Sequence, residues 1–260
     1  MATCLSTLTS LKSLHLGFDS FQSYPDLLRR PFSSIRSVLT ALVILRYDGM
    51  IKYFEEFVAW IDTPRLSLLS TNFFNDIDFN TQELNRFISR TTTLGAYDEA
   101  HLIFCFKGAL VMLHQSHPDP RMVGIKSPDM ELSTVAQICT LSSCLLLTMA
   151  NLYIDGELFS SHLRDNHNNT GWLDLLLPFT TVKNLYLSKL FLTRIALVLQ
   201  ELTGERTREV LPALQNVLLG GFQPSEPVEG IAQFISARQL TNHPVSISVW
   251  DRNPKWDMMW

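Results

Sequence analysis

Four residues near the middle of the chain, Asp98-Glu99-Ala100-His101, match the acidic box of helicase-type ATPases. In those enzymes the acidic pair binds Mg²⁺ after an apolar strand, and a phosphate loop of the form G-x-x-x-x-G-K-[ST] comes before it. No Gly-Lys dipeptide occurs anywhere in this sequence. The tetrad is the one motif that favours an enzyme, and without a phosphate loop we interpret it as part of a strand and its turn. We therefore predict a protein that is not an enzyme and has no catalytic residues.

Two further groups contain residue types that bind metals. His114 and His117 lie three residues apart and close to Asp119, but they flank a proline in a predicted turn and lack a third ligand at a typical spacing. We interpret them as solvated. Cys139 and Cys144 lie five residues apart on a predicted helix, so they do not share a face well enough to chelate an ion. We predict that both are core residues, and that the chain has no metal site and no cofactor.

The elements that would position these side chains are indicated by a recurring pattern, apolar-x-x-apolar-x-apolar. It occurs at residues 11–16, 39–44, 149–154, 182–187 and 214–219. A period of about thirty residues is typical of stacked repeats, in which each unit completes its core with the next. Helical stripes lie between some of these segments, at Met50–Asp62 and Phe191–Leu202. The alternation predicts an α/β fold with parallel strands joined by crossovers, and it favours an open curved solenoid over a closed doubly wound sheet.

The region from Leu94 to Met149 is less regular than the rest. It predicts a hairpin, with strands at His101–Phe106 and Ala109–His114, and then a helix from Ser127 to Leu141 that opens with Ser-Pro-Asp. We predict one repeat domain over residues 1–253, with an irregular hairpin insertion at about 95–126, and a C-terminal tail at 254–260.

These segments resemble the leucine-rich-repeat region of fungal F-box proteins, and the likeness extends from about Leu8 to Asp251. The motifs are specific as a set, although each alone is weak. They are Leu177-Pro178-Phe179-Thr180, Val182-Lys183-Asn184-Leu185-Tyr186-Leu187, Leu211-Pro212-Ala213-Leu214-Gln215-Asn216, His243-Pro244-Val245, Ile61-Asp62-Thr63-Pro64-Arg65-Leu66 and Arg86-Phe87-Ile88-Ser89-Arg90-Thr91.

The resemblance implies an irregular leucine-rich-repeat solenoid that acts as the substrate-recognition part of an SCF-type ubiquitin ligase subunit. In such proteins the F-box holds a Skp-type adaptor and the repeats hold the protein to be modified. The F-box precedes the repeats, and the residues before Leu8 are too few to form its helices. A Skp-type adaptor is therefore expected as a partner only if an F-box precedes this chain. The alternatives are an interaction scaffold unrelated to ubiquitination, or a truncated fragment without function.

Equivalent positions in the repeats predict which side chains meet. In the strand pattern the apolar residues point inward, so Leu14, Leu152, Leu185 and Val217 should share one interior column. The residues between them should line the concave face. There Asn151, Asn184 and Asn216 occupy one position, Tyr153 and Tyr186 occupy the next, and His15 and Leu218 would extend the same surface. Two interpretations stay open: a ladder that stabilises the sheet, or an aromatic and polar groove for a protein partner.

Composition limits the classes of partner. The 260 residues carry a net charge of −4, which gives no positive field for nucleic acid. The longest apolar run, from Leu141 to Ile154, contains polar residues and is shorter than the roughly 20 residues of a membrane-spanning helix. The four cysteines lie in apolar runs, as is typical of buried reduced thiols. We predict a protein of the cytoplasm or nucleus that binds a protein target, and neither nucleic acid nor a membrane.

Overall fold

A computed structural model gives the fold of the protein. It describes residues 9–18, 36–74, 82–95, 97–105, 108–115, 121–127, 131–141, 143–156, 169–202, 206, 209–221 and 229–250. The predicted tail at 254–260 lies outside these ranges, and so do His117 and Asp119.

Strands and helices alternate along most of the described chain. The strands are β1 (Ser13–Gly17), β2 (Ser37–Val38), β3 (Ile44–Gly49), β4 (Ile61–Asp62), β5 (Leu68–Phe73), β6 (Glu99–Cys105), β7 (Gly108–Gln115), β8 (Arg121–Ser127), β9 (Asn151–Gly156), β10 (Asn184–Ser188), β11 (Asn216–Gly220) and β12 (Ser246–Trp250). The helices are α1 (Ile51–Ala59), α2 (Gln82–Arg90), α3 (Leu132–Leu141), α4 (Ser143–Leu146), α5 (Asn169–Leu176), α6 (Lys189–Gln200) and α7 (Glu229–Leu240). A short 3₁₀ helix, Thr92–Leu94, follows α2.

Ten of these strands form one open sheet, in the order β1-β3-β5-β8-β7-β6-β9-β10-β11-β12. Neighbours are parallel, except that β7 is antiparallel to both β6 and β8. The predicted hairpin is therefore present, as β6 and β7. The hairpin is part of a three-stranded antiparallel meander of β6, β7 and β8. The meander enters the sheet in reverse order, because its last strand, β8, pairs with β5, whereas its first strand, β6, pairs with β9. Strands β2 and β4 form a separate small parallel pair. The fold is thus α/β, with a large and mostly parallel sheet.

One face of the sheet packs against the helices. Its central file of side chains contains one residue from each strand, in continuous register: Leu14, Leu45, Leu69, Val123, Leu113, Ala100, Leu152, Leu185, Val217 and Ile247. The prediction that Leu14, Leu152, Leu185 and Val217 share one column is confirmed. Side chains at the middle of the file are fully buried, whereas Leu14 at one edge is half-buried and Ile247 at the other is 43% exposed.

Several element boundaries differ from the predictions. The helical stripe predicted over Met50–Asp62 ends as a helix at Ala59, and Ile61 and Asp62 form β4 instead. The second repeat strand begins at Ile44 rather than Leu39, because Leu42, Leu45 and Tyr47 repeat the same apolar pattern three residues further on and are buried. The amide of Val43 then donates to the carbonyl of Lys12, immediately before β1, over 2.8 Å. Ser127 also lies in β8 rather than in a helix, since its register with Ala109 continues the meander; the helix α3 begins at Leu132.

Side chains at the helix ends connect neighbouring layers. The carboxylate of Glu55 on α1 accepts hydrogen bonds from the amides of Glu83 and Leu84 in the first turn of α2, each 2.7 Å long. Burial raises the pKa of Glu55, although these amide bonds oppose the rise. Arg238 on α7 is fully buried and donates to the carbonyls of Leu211, Pro212 and Leu214. Such bonds satisfy backbone groups that a helix or turn leaves open.

The opposite face of the sheet, which we call the second face, carries the side chains that alternate with the buried file. Of the helices that the structure describes, none is long and apolar enough to cross a membrane.

Candidate functional site

The second face carries a ladder of asparagine side chains, which we call the amide row. Asn151, Asn184 and Asn216 are aligned in register on β9, β10 and β11. The Asn184 amide donates to Oδ1 of Asn151 and the Asn216 amide to Oδ1 of Asn184, each over 2.7 Å, and Ser246 Oγ donates to Oδ1 of Asn216 over 2.6 Å. The three asparagines therefore form a continuous row of hydrogen-bonded amides. It joins four parallel strands through their side chains.

Beside it lies an aromatic row formed by His101, Tyr153 and Tyr186. The rings of Tyr153 and Tyr186 stack with centroids 4.1 Å apart and an interplanar angle of 12°. The ring of His101 stacks on the other side of Tyr153, with a centroid distance of 4.2 Å and an angle of 2°. Their order follows the sheet, because His101 pairs with Tyr153 and Tyr153 pairs with Tyr186. The tyrosines were expected as neighbours; His101 was not expected to join them.

Trp250 adds a fourth ring from the last described strand. Its indole makes edge contacts with Tyr153 and Tyr186, at centroid distances of 5.7 and 5.3 Å. The indole crosses β11 at Gly220, where a Cβ atom would lie 3.0 and 3.2 Å from two of its ring carbons. A side chain at Gly220 would thus block this path. Trp250 was not predicted as a site residue, although the inward alternation of Val245, Ile247 and Val249 already implied that it points to the second face.

Glu99 lies at the end of the aromatic row, between two histidines. Its Oε2 atom is 3.5 Å from Nε2 of His101 and 3.6 Å from Nδ1 of His114. Glu99 is aligned with His114 on β7 and with Asn151 on β9, which explains why residues from three strands meet. The two neighbouring imidazoles, His101 first and then His114, lower the pKa of Glu99 to about 2, although burial acts against them. Burial, and next the charge of Glu99, raise the pKa of Tyr153.

This geometry assigns the acidic tetrad to the two sides of β6. The side chains of Glu99 and His101 lie on the second face of the sheet, whereas the side chain of Ala100 is fully buried in the central file on the other face. His114, which was predicted to be solvated, faces Glu99 with a side chain that is 12% exposed. That prediction is wrong because the meander places β7 in the interior of the sheet. Among the residues that the structure describes, no three His, Cys, Asp or Glu side chains are arranged to hold a metal ion.

The two outlying predicted residues differ in position. Leu218 is aligned with Tyr186 on the next strand and extends the aromatic row. His15 occupies the same row on β1, but six strand-to-strand steps separate β1 from β9. At about 4.8 Å per step this is about 29 Å, too far for a shared contact with Tyr153. His15 instead pairs with Asp48 on β3 at 2.6 Å.

Between His15 and the aromatic row, the second face carries a small apolar cluster. Leu110, Met112 and Met122 are buried there, with Leu68 and Ile103 packed against them. Met112 pairs with His101 in register, so the apolar cluster and the aromatic row are continuous. Methionine side chains fill irregular gaps in a core, which suits them to this buried cluster.

The helix-packed face contains a cavity of about 10 Å³, lined by apolar residues that include Val111, Ile138 and Cys139. Such a space is about the size of one water molecule, and an apolar lining keeps it dry. Burial raises the pKa of the Cys139 thiol to about 12, which makes it a poor nucleophile. Cys139 is a buried core thiol, as predicted, whereas Cys105 at the end of β6 is exposed.

No family model, curated protein or solved structure matches the chain.

Proposed function

We propose that this chain is a protein-binding module without catalytic activity, built as an irregular leucine-rich-repeat solenoid and similar in role to the substrate-recognition part of an F-box ubiquitin ligase subunit. The observation that carries the binding role is the partly exposed group of Tyr153, Tyr186 and Trp250 on the second face. Tyrosine and tryptophan contribute most at protein interfaces, since they cover a large area and still offer a polar group. The amide row beside them supplies further polar groups.

The proposed repeat architecture is supported by bonds that recur from one unit to the next. The amide of Val43 binds the carbonyl of Lys12, that of Lys183 binds Ala150, and that of Gln215 binds Lys183, over 2.8 to 2.9 Å. Each loop is thus attached to the loop before it at the same point of the pattern. Repeats that stack in this way leave one long face for a partner, with each core completed by its neighbour.

Two substitutions test the binding role. Tyr153→Ala and Tyr186→Ala should each lower affinity for a protein partner more than tenfold, because each removes a ring from the centre of the proposed contact. Tyr53→Ala, on α1 in the helix layer, is the matched control and should leave affinity unchanged. Partners are identified by quantitative pull-down with the unsubstituted chain, and Kd is then measured with purified protein for all variants. Equal affinity for all variants, or unfolding of the Tyr153 and Tyr186 variants, would favour a purely structural ladder.

A second experiment separates the ligase subunit from the scaffold alternative. A purified Skp-type adaptor is mixed with this chain and with the gene product that includes any in-frame coding sequence upstream of Met1. The ligase role requires that the adaptor co-purify with a form that carries an F-box. If the adaptor binds neither form, the interaction scaffold unrelated to ubiquitination is the better description.

A further inference from the structure

Carboxylates flank the exposed aromatic side chains of the second face. We call Tyr153, Tyr186 and Trp250 the aromatic group. Glu99 on β6 is aligned with the residue two positions before Tyr153, and Asp155 on β9 lies two positions after it, so strand alternation places both carboxylates on the second face. The Glu99 side chain is 15% exposed and Asp155 is 9% exposed. A negative charge thus lies on each side of the aromatic group.

The basic side chains of the second face lie elsewhere. Among the second-face side chains that the structure describes on β6 and on β9 to β12, none is a lysine or an arginine. Lys183 and Lys189 flank β10, but they continue the alternation of Leu185, which is buried on the helix-packed side. On the rest of the described face, Arg46 lies on β3 and Lys126 on β8. Strand β8, the nearer of these two, is three steps from β9, or about 14 Å, which exceeds the Debye length of about 8 Å at physiological ionic strength.

The carboxylates and the rings of the aromatic group favour the same kind of ligand. Burial raises the pKa of the Tyr153 hydroxyl, and the charges of Glu99 and Asp98 raise it further, so this part of the face has a negative potential. The face of an aromatic ring also carries negative potential, and the attraction to a cation is strongest for the indole of tryptophan. Trp250 contacts both tyrosines, so rings from three strands lie together. A cation at this place is attracted by rings and carboxylates at once.

The amide row beside the aromatic group can form hydrogen bonds with a peptide backbone. A carboxamide has two N–H donors and two acceptor lone pairs. Asn184 uses one N–H toward Asn151 and one lone pair toward Asn216, and Asn216 likewise donates once and accepts once, from Ser246. Asn184 and Asn216 each keep one donor and one acceptor for a ligand. Each peptide residue carries the complementary pair of groups.

We propose that the aromatic group binds an arginine or lysine side chain of a basic protein segment, whose backbone bonds to the amide row. This inference rests on the proposed protein-binding function and adds the charge of the partner. Glu99 and Asp155 attract the cation from the two sides of the group. They repel an acidic segment, and an apolar segment would remove them from water without a compensating charge.

Selection from a display library of random peptides on the purified chain tests the charge of the partner. The peptides that bind should be enriched in arginine and lysine, and this enrichment should be lost on Trp250→Ala. Enrichment in acidic or in purely apolar peptides would overturn the inference and leave the protein-binding role intact. If no peptide is selected, the protein-binding role itself fails, and the inference fails with it.

The Kd of a selected basic peptide then measures the contribution of the carboxylates. Asp155→Asn should raise Kd about fivefold, because it removes a charge beside the cation while it keeps an oxygen for the amide of Gly156. Asp48→Asn is the matched control, since it removes a carboxylate from the same face on β3, five strand steps from β9, and it should leave Kd unchanged. Glutamine in place of the basic residue of the peptide should raise Kd at least about tenfold.

The dependence on salt completes the test. Kd for the unsubstituted chain should increase with NaCl, and the difference between Asp155→Asn and the unsubstituted chain should shrink as salt screens the carboxylate. Circular dichroism verifies that each variant is folded, and the two aspartate variants decide the matter if Trp250→Ala is not. Equal effects of Asp155→Asn and Asp48→Asn, or a Kd that is independent of salt, would contradict a cation bound at the aromatic group.

Discussion

At the level of single residues, the chemistry of this protein is concentrated where β6, β7 and β9 meet. Glu99 and His114 are fifteen positions apart in sequence, and Tyr153 is further still, yet strand register places all three beside His101. The result is a carboxylate held between imidazoles, with an aromatic stack extending from one of them. A nearly buried ionised carboxylate needs such partners, because an unpaired buried charge is strongly unfavourable.

The lowered pKa of Glu99 predicts how the fold responds to strong acid. A carboxyl group whose pKa falls on folding adds stability above its ordinary pKa, and that stability is lost as the pH falls toward about 2. The free energy of unfolding should therefore decline between pH 4.5 and 2.5 more steeply for the unsubstituted chain than for Glu99→Gln. Urea unfolding across this range measures both slopes, with Glu209→Gln as the control. Parallel slopes would show that Glu99 contributes nothing specific to acid stability.

At the level of elements, the last two strands show how one small residue permits a long-range contact. Gly220 on β11 and Gly17 on β1 occupy equivalent places at the ends of their strands. Only Gly220 has an indole lying across it, because Trp250 on the neighbouring strand reaches over it to the tyrosines. A Cβ atom at Gly17 would meet nothing within 4 Å.

Alanine at these two positions should therefore have opposite effects. Gly17→Ala should raise the free energy of unfolding by up to about 1 kcal/mol, since it restricts the unfolded chain without a clash. Gly220→Ala should lower the free energy of unfolding, because it displaces the indole and forfeits two ring contacts of about 0.5 to 1.5 kcal/mol each, which together exceed the gain from a more restricted unfolded chain. Urea unfolding and the near-ultraviolet circular dichroism of the aromatic rings measure both effects. An unchanged aromatic spectrum in Gly220→Ala would mean that Trp250 is not held where the structure places it.

At the level of the whole molecule, stability depends on a continuous core between the sheet and the helices. The central file runs through all ten strands, and its members are most buried in the middle. Each strand thus covers its neighbours, while Leu14 and Ile247 near the edges are covered on one side. Hydrophobic stabilisation should follow this gradient, because it scales with the apolar area removed from water.

Truncation along the file tests the gradient. Leu185→Ala, at a fully buried position, should lower the free energy of unfolding by about 3 kcal/mol, whereas Leu14→Ala at the edge should cost about 1 kcal/mol. Both changes remove the same atoms, so the difference reports burial and the cavity left behind. Urea unfolding measures it. Equal costs at the two positions would argue against one core that extends across the sheet.

The sequence alone determined which side of each regular strand faces the core. Strand side chains alternate with a period of two, so the apolar pattern was sufficient to place Leu152, Leu185 and Val217 in one file and Tyr153 and Tyr186 on the other side. It also located the hairpin of β6 and β7. It selected the apolar pattern that begins at Leu39 rather than the one that begins three residues later at Leu42, since the two overlap and only packing selects between them.

Only the tertiary structure decided which strands are neighbours. The meander of β6, β7 and β8 enters the sheet in reverse order, and this brings His101 and Glu99 to Tyr153 while five strands separate His15 on β1 from Tyr153 on β9. Strand order depends on contacts between segments that are far apart in the chain, which local periodicity does not encode. The stacking of Tyr153 and Tyr186 could thus be anticipated from spacing. The positions of His101, Glu99 and Trp250 beside these tyrosines required the complete sheet.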